Sequence, residues 1–220
     1  MSVKTTASKN LLPGALLRGL ETHIGRVILV ANNPNISAST LAGLNISNSD
    51  LVVQFNTMTH FDRLSTLPCH HLTVFRYGVG PELHFGLPLA APRRARMLAL
   101  ESRQFTLFTD VFPANDDGFS QSQAGTLTAH IDDLIDAPYP VPRIADHPHS
   151  AGPSTGFWTL GLFHHLQQKN RQHLAANGGD TFDIRLLGFS TEPGSTNTVF
   201  WEGHAWEFER RWISDNGFAA

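Results

Sequence analysis

Arg26-Val27-Ile28-Leu29-Val30-Ala31 is an unbroken run of β-branched and apolar residues that stops at Asn32-Asn33-Pro34-Asn35. A strand with one wet face alternates polar and apolar residues, whereas a strand covered on both faces is apolar throughout, and parallel sheets sandwiched between helices are where such strands occur. The run therefore predicts an α/β chain. The small polar turn, followed by a helix over Ser37 to Leu44, opens a unit whose ligands bind at the carboxyl ends of the strands. No Gly-x-Gly-x-x-Gly follows, which excludes the dinucleotide fingerprint. Asparagines stand in its place, either as turn formers or as donors and acceptors toward a ligand.

The same pattern recurs along the chain. Leu51 to Phe55 reads as a second strand ending at another asparagine, Asn56. Two parallel strands each delivering an asparagine to one edge would line a common crevice. Further strands are expected at His71–Arg76, ending in Tyr77-Gly78, at Gln104–Thr109, and at Phe182–Phe189, which closes with Gly188-Phe189. Thr126 to Ile135 is expected to be a helix. Residues 1–25 read as a poorly patterned lead-in and 26–220 as a single domain, with Leu11 to Leu20 an interrupted amphipathic stretch resting on that domain or on a membrane surface. Arg93-Arg94-Ala95-Arg96 forms a solvated basic face or a contact for an anionic acceptor or lipid surface. Asn115 to Gln123 reads as a loop or lid. The proline-rich Ala137–Pro153 stretch reads as an irregular loop over the ligand edge.

Composition narrows the function classes. A net charge of -3 gives no basic surface for nucleic acid. One cysteine, Cys69, excludes an internal disulfide and points to a reducing, cytoplasmic compartment, and no apolar run is long enough to span a bilayer. Twelve histidines include the pairs His70-His71, His147-Pro148-His149 and His164-His165. None has the spacing of a zinc site, and no metal is expected.

Gly152-Pro153-Ser154-Thr155-Gly156 precedes a long apolar segment, which is how a helix start is written, with Ser154 as the cap. The first turn of such a helix carries N–H groups with no internal partner, so it attracts anions. Its helix is expected to reach about Lys169, with Trp158, Leu162 and Leu166 on one stripe. Near the carboxyl terminus His204 and Glu209 stand five residues apart at the start of an amphipathic helix. They form either a surface pair or a histidine base at a helix cap, where the dipole keeps the ring neutral.

These elements together resemble the eukaryotic-type sialyltransferases, glycosyltransferase family 29. The family's large motif is similar to Val30-Ala31-Asn32-Asn33-Pro34-Asn35-Ile36 followed by Val52-Val53-Gln54-Phe55-Asn56, its small motif to Pro153-Ser154-Thr155-Gly156 and then Leu187-Gly188-Phe189, and its very small motif to His204 and Glu209. The order is the family's. The family's histidine before an aromatic pair is missing, since Val199-Phe200-Trp201-Glu202 carries the aromatics alone, and the family's disulfide cannot form.

The resemblance implies a single-domain Rossmann-like sandwich, a variant GT-A fold with a largely parallel sheet. It also implies a metal-independent, inverting glycosyltransferase that takes a CMP-activated sugar acid, sialic acid or the related Kdo, and passes it to a hydroxyl of a glycan or glycolipid. No cofactor is implied beyond the CMP-sugar donor. Asn32, Asn33, Asn35, Asn56, Ser154, Thr155, Gly156, Gly188 and Phe189 would bind the nucleotide, and His204 with Glu209 would carry catalysis. A cytoplasmic enzyme of surface-glycan synthesis, in peripheral contact with the inner membrane face, fits this reading. The alternative is a sugar-nucleotide or glycan-binding protein that keeps the fold without turnover.

Overall fold

In the computed structural model, residues 12–76, 99–100, 103–109, 124–144, 151–174, 181–189 and 202–218 are described. Tyr77-Gly78, the arginine cluster Arg93–Arg96, the Asn115–Gln123 loop, His147, His149, the Asn177-Gly178-Gly179 turn and the Val199–Trp201 aromatics lie outside them. Six strands pair in parallel throughout, β1 (Arg26–Val30), β2 (Asp50–Phe55), β3 (His70–Arg76), β4 (Gln104–Thr109), β5 (Ala124–Leu127) and β6 (Asp183–Leu187). Their order across the sheet is β5-β4-β3-β2-β1-β6. The result is an α/β, Rossmann-like sheet, as the buried first strand requires.

Period-two alternation splits each strand between two cores. Val27 and Leu29 of β1 join Leu51, Val53 and Phe55 of β2, Leu72, Val74 and Leu107 on one face. That face is covered by α1 (Gly14–Thr22), α4 (Ile131–Ile135), α5 (Thr155–Leu174) and α6 (Trp206–Asp215). Ile28, Val30 and Val52 point the other way and pack with Leu41 of α2 (Ala38–Gly43) and Leu64 of α3 (Phe61–Leu64). Among the described residues no helix is long and apolar enough to cross a membrane.

The direction of winding sets where strand order reverses. From β1 to β5 the chain moves outward strand by strand, and then α5 carries it back over β3 so that β6 lands on the far side of β1. The order reverses between β1 and β6. In open parallel sheets the crevice at such a reversal, beyond the strand carboxyl ends, is where ligands bind.

Of the lead-in, the described residues from Leu12 on rest on the domain, one of the two placements expected for Leu11–Leu20: Pro13 precedes α1, and Leu12, Leu16, Leu20 and Ile24 are buried in the larger core. Pro13 has no N–H to lose at a helix start, so a residue that reads as an interruption serves as an opening. The Thr126–Ile135 helix divides into strand β5, whose Thr126 and Leu127 pair with Phe108 and Thr109, and a short helix that begins only at Ile131. Ladder bonds available at the sheet edge outweigh local helix propensity there. Finally, α5 runs past Lys169 to Leu174 and buries Phe157, Leu160, Leu162 and Phe163, with Trp158 and Leu166 half-buried, because α4 and α6 cover the side that the sheet does not.

Some polar groups of this interior are held by partners, whereas Gln54 Oε1, Thr106 Oγ1 and Thr109 Oγ1 are buried without one. Asp50 is 2% exposed, and burial pushes its carboxyl up, but the Arg26 guanidinium at 2.8 Å and the Ser47 N–H and hydroxyl outweigh that and leave it below the ordinary value. Cys69 is buried with its thiol 3.6 Å from His71 Nε2, and burial pushes that thiol up to about 12. Burial also lowers His71 to about 4.

Leu16→Ala should cost about 2–5 kcal/mol in urea unfolding, as for a core leucine, whereas a detached lead-in would leave stability unchanged. His71 must stay neutral to remain buried, so its contribution is complete above the unfolded value of about 6.5 and is lost as pH falls toward the folded one. Unfolding free energy should fall from about pH 6.5 to about pH 4, and His71→Leu should flatten that limb in a pH series of urea titrations.

Candidate functional site

The turn after β1 is built by its asparagines. Asn32 Nδ2 donates to Phe55 O at 2.9 Å and its Oδ1 accepts from Thr59 N at 3.1 Å, so one side chain bridges the ends of β1 and β2. Asn33 Oδ1 accepts from Asn35 N at 2.9 Å, folding Asn33-Pro34-Asn35 into a side-chain-closed turn, while its Nδ2 reaches Gly188 O at 3.4 Å. Asn35 is exposed and enters this arrangement through its backbone.

Beyond β2 the chain turns through two left-handed residues, Asn56 at φ 44° and Met58 at φ 48°. Asparagine adopts that region readily. Methionine does not, and its placement costs about 1–3 kcal/mol unless its surroundings hold it. Met58 is fully buried, its N–H bonds Phe55 O at 2.9 Å, and its sulfur accepts from the Thr73 hydroxyl at 3.4 Å. The turn aims Asn56 Nδ2 at Thr155 Oγ1, 3.4 Å away on the first turn of α5.

At β6 the backbone turns left-handed at Gly188, φ 73°. A Cβ there would stand 2.5 Å from Ile36 Cδ1, so only glycine lets the end of β6 close on the β1 turn. Phe189 then lies edge-on to Phe55 with ring centroids 6.2 Å apart, and its ring edge would be 3.0 Å from a Cβ at Gly156. Asn32, Asn33, Asn56, Thr155, Gly156, Gly188 and Phe189, far apart in sequence, thus meet at the carboxyl ends of β1, β2 and β6.

Ser154 caps α5, its Oγ accepting from Phe157 N at 3.1 Å. The same hydroxyl donates to Glu209 Oε2 at 2.6 Å, and Ser154 N donates to Glu209 Oε1 at 2.8 Å. Its single proton is therefore committed inside the protein. Thr155 and Gly156, the next two residues, present first-turn N–H groups that have no intrahelical acceptor. They, not Ser154, form the anion-attracting part of this start.

Glu209 is 3% exposed on α6, so the surface-pair alternative is overturned. Beyond the two bonds from Ser154 it accepts from Tyr139 OH at 2.8 Å. These donors make it a clamp between α6, α5 and the loop that follows α4. His204 also differs from expectation. The cap of α6 is Ala205, and His204 stands just before it rather than in the first turn, because Trp206 is the first helical residue. Its Nδ1 lies 2.6 Å from Gly152 O. A carbonyl only accepts, so Nδ1 carries the proton, and in the neutral ring the lone pair belongs to Nε2. A base of that form takes a proton through Nε2.

Two contributors carried no motif. Tyr139 is buried, and the only hint was an aromatic residue between Pro138 and Pro140. His60, whose Nε2 is 2.9 Å from Asn33 O, caps α3, and nothing local marked it. His164 packs edge-on to Trp212 at 5.1 Å, and burial lowers both His164 and His165, so this pair belongs to the core margin. Among the described residues no group of three or more His, Cys, Asp or Glu side chains is placed to hold a metal ion.

No protein-family model matches the chain, and comparisons with curated proteins and with solved structures return no match.

Glu209→Ala would strand the Ser154 N–H, the Ser154 hydroxyl and the Tyr139 hydroxyl, and should cost about 2–3 kcal/mol in chemical denaturation. Glu207→Ala, at an exposed ion pair with Arg211, should cost less than about 0.5 kcal/mol.

Proposed function

We propose that this chain is an inverting glycosyltransferase that moves a sugar acid, sialic acid or a Kdo-like sugar, from a CMP donor to a hydroxyl of a glycan or glycolipid acceptor, on a variant of the GT-A fold. The observation that carries the reading is convergence: the asparagine turns after β1 and β2, the open helix start at Thr155-Gly156 and the Gly188-Phe189 end of β6 share the crevice where strand order reverses. These are the segments whose sequences resemble the sialyltransferase motifs.

The chemistry of the residues suits such a donor. First-turn N–H groups and asparagine amides are neutral donors, adequate for the one phosphate of a nucleoside monophosphate as it leaves. The Asn56–Thr155 bond joins two donor-side walls, so the ribose and phosphate would meet a preformed surface. Gly188 and Phe189 would close the third wall.

His204 supplies the base. With Nδ1 bound to Gly152 O, Nε2 accepts the proton of the attacking hydroxyl, and the same carbonyl steadies the imidazolium that results. Ser154 and Glu209 hold the geometry without touching the donor. The reaction carried by the resemblance needs no metal, and its cofactor list is empty apart from the CMP-sugar itself. A cytoplasmic setting at the inner membrane face matches a glycolipid acceptor.

The test is titration calorimetry with CMP, followed by donor hydrolysis and transfer assays. Wild-type protein should bind CMP and turn over, with a rate that rises with pH as histidine loses its proton. His204→Ala should keep CMP affinity and lose about 100-fold or more in turnover. A wild-type protein that shows no affinity for CMP ends the proposal, and one that binds CMP yet transfers to no acceptor is the binding protein instead.

A further inference from the structure

Tyr139 lies outside every segment that carries the sialyltransferase resemblance, yet its hydroxyl stands where three pieces of the site meet. It accepts from Ala205 N at 2.8 Å, lies 2.8 Å from Glu209 Oε1 and 3.2 Å from Gly152 O. A phenol has one proton, and the shorter, charge-assisted bond sends it to Glu209. Gly152 O then receives its strong bond from His204 Nδ1 at 2.6 Å. Gly152 N also donates to Gly203 O at 2.9 Å. The turn 203–205 is thus held at three consecutive residues, Gly203 and His204 by Gly152 ahead of α5 and Ala205 by Tyr139.

We propose that Tyr139 is a positioning residue for His204: its hydroxyl, anchored on Glu209, fixes the Ala205 backbone so that the imidazole keeps its Nδ1 proton on Gly152 O. Its effect on turnover rests on the reading of His204 as the base, whereas its effect on the ring does not. Because Glu209 also holds Ser154, the same anchor keeps the helix start and the base in fixed relation. Substrate misplaced by about 1 Å from a base loses roughly 100-fold in rate, which sets the scale of the expected effect.

The experiment compares Tyr139→Phe with Phe208→Leu. The first keeps the ring that packs on Phe157 at 6.0 Å and Phe208 at 5.5 Å and removes only the hydroxyl, whereas the second loosens that packing and keeps the hydroxyl. Imidazole nitrogen NMR, with the His204 signals assigned by their loss in His204→Ala, should show a protonated Nδ1 and an unprotonated Nε2 in wild type and in Phe208→Leu. In Tyr139→Phe the two nitrogen shifts should move toward each other as tautomers mix. Turnover in Tyr139→Phe should fall about 10- to 100-fold while the CMP dissociation constant stays within about twofold, the pattern of an interaction used after binding. An unchanged tautomer in Tyr139→Phe, or an equal change in Phe208→Leu, overturns the proposal. If wild type neither binds CMP nor turns over, glycosyl transfer falls while the nitrogen shifts still decide whether Tyr139 sets the ring.

Discussion

A carboxylate taken out of water must recover its hydrogen bonds from the protein, and Glu209 recovers them from Ser154 N, Ser154 Oγ and Tyr139 OH. That requirement fixes α6 against the start of α5 more sharply than apolar packing would. Phe157, Phe208 and Trp212 fill the space around it with edge-to-face contacts at 5.3 to 6.1 Å, which hold the helices at a distance but tolerate sliding. The hydrogen bonds do not tolerate it. Because the clamp sits at the first turn of α5, a rigid, directional set of bonds lies next to the N–H donors proposed to meet a ligand.

The sheet makes the same point at larger scale. β1 is an interior strand, one in from the β6 edge and apolar on both faces, and it pairs with β2 on one side and β6 on the other. Reversal of strand order at β1 opens the crevice, and the residues that close its floor are small or amide-bearing: Asn32 across to β2, Asn33 across to β6, Gly188 under Ile36. Each asparagine replaces a backbone bond that the diverging strand ends no longer make. The asparagines therefore have a structural use that is complete without a ligand, and a ligand would meet amides already held in place.

Much of this was legible in the residues. Period and apolarity announced β1, β2, β3, β4 and β6, since a fully buried strand leaves few other readings, and the Ser154 cap announced α5. The Pro-Ser-Thr-Gly segment and the two asparagine turns pointed to one edge. What stayed hidden depended on tertiary partners. Nothing in Gly125-Thr126-Leu127 distinguishes an edge strand from a helix until β4 is beside it. The burial of Leu12, Leu16 and Leu20 needs a sheet to lie on. Glu209, on an amphipathic and mostly charged helix, resembles its exposed neighbour Glu207 until Ser154 and Tyr139 are brought to it. Tyr139 had no periodic context at all, because loops carry none.

Pairing of β1 with β6, distant in the chain, has a consequence during synthesis. Until residues 183–187 emerge, β1 has a bare edge in an apolar, charge-poor strand, the kind of edge that recruits other chains. Non-local parallel pairing is slow to form, and a chain made from its amino end must hold β1 unsatisfied through most of its length. The crevice exists only once β6 has joined β1. A chain that stops short of β6 exposes that edge permanently.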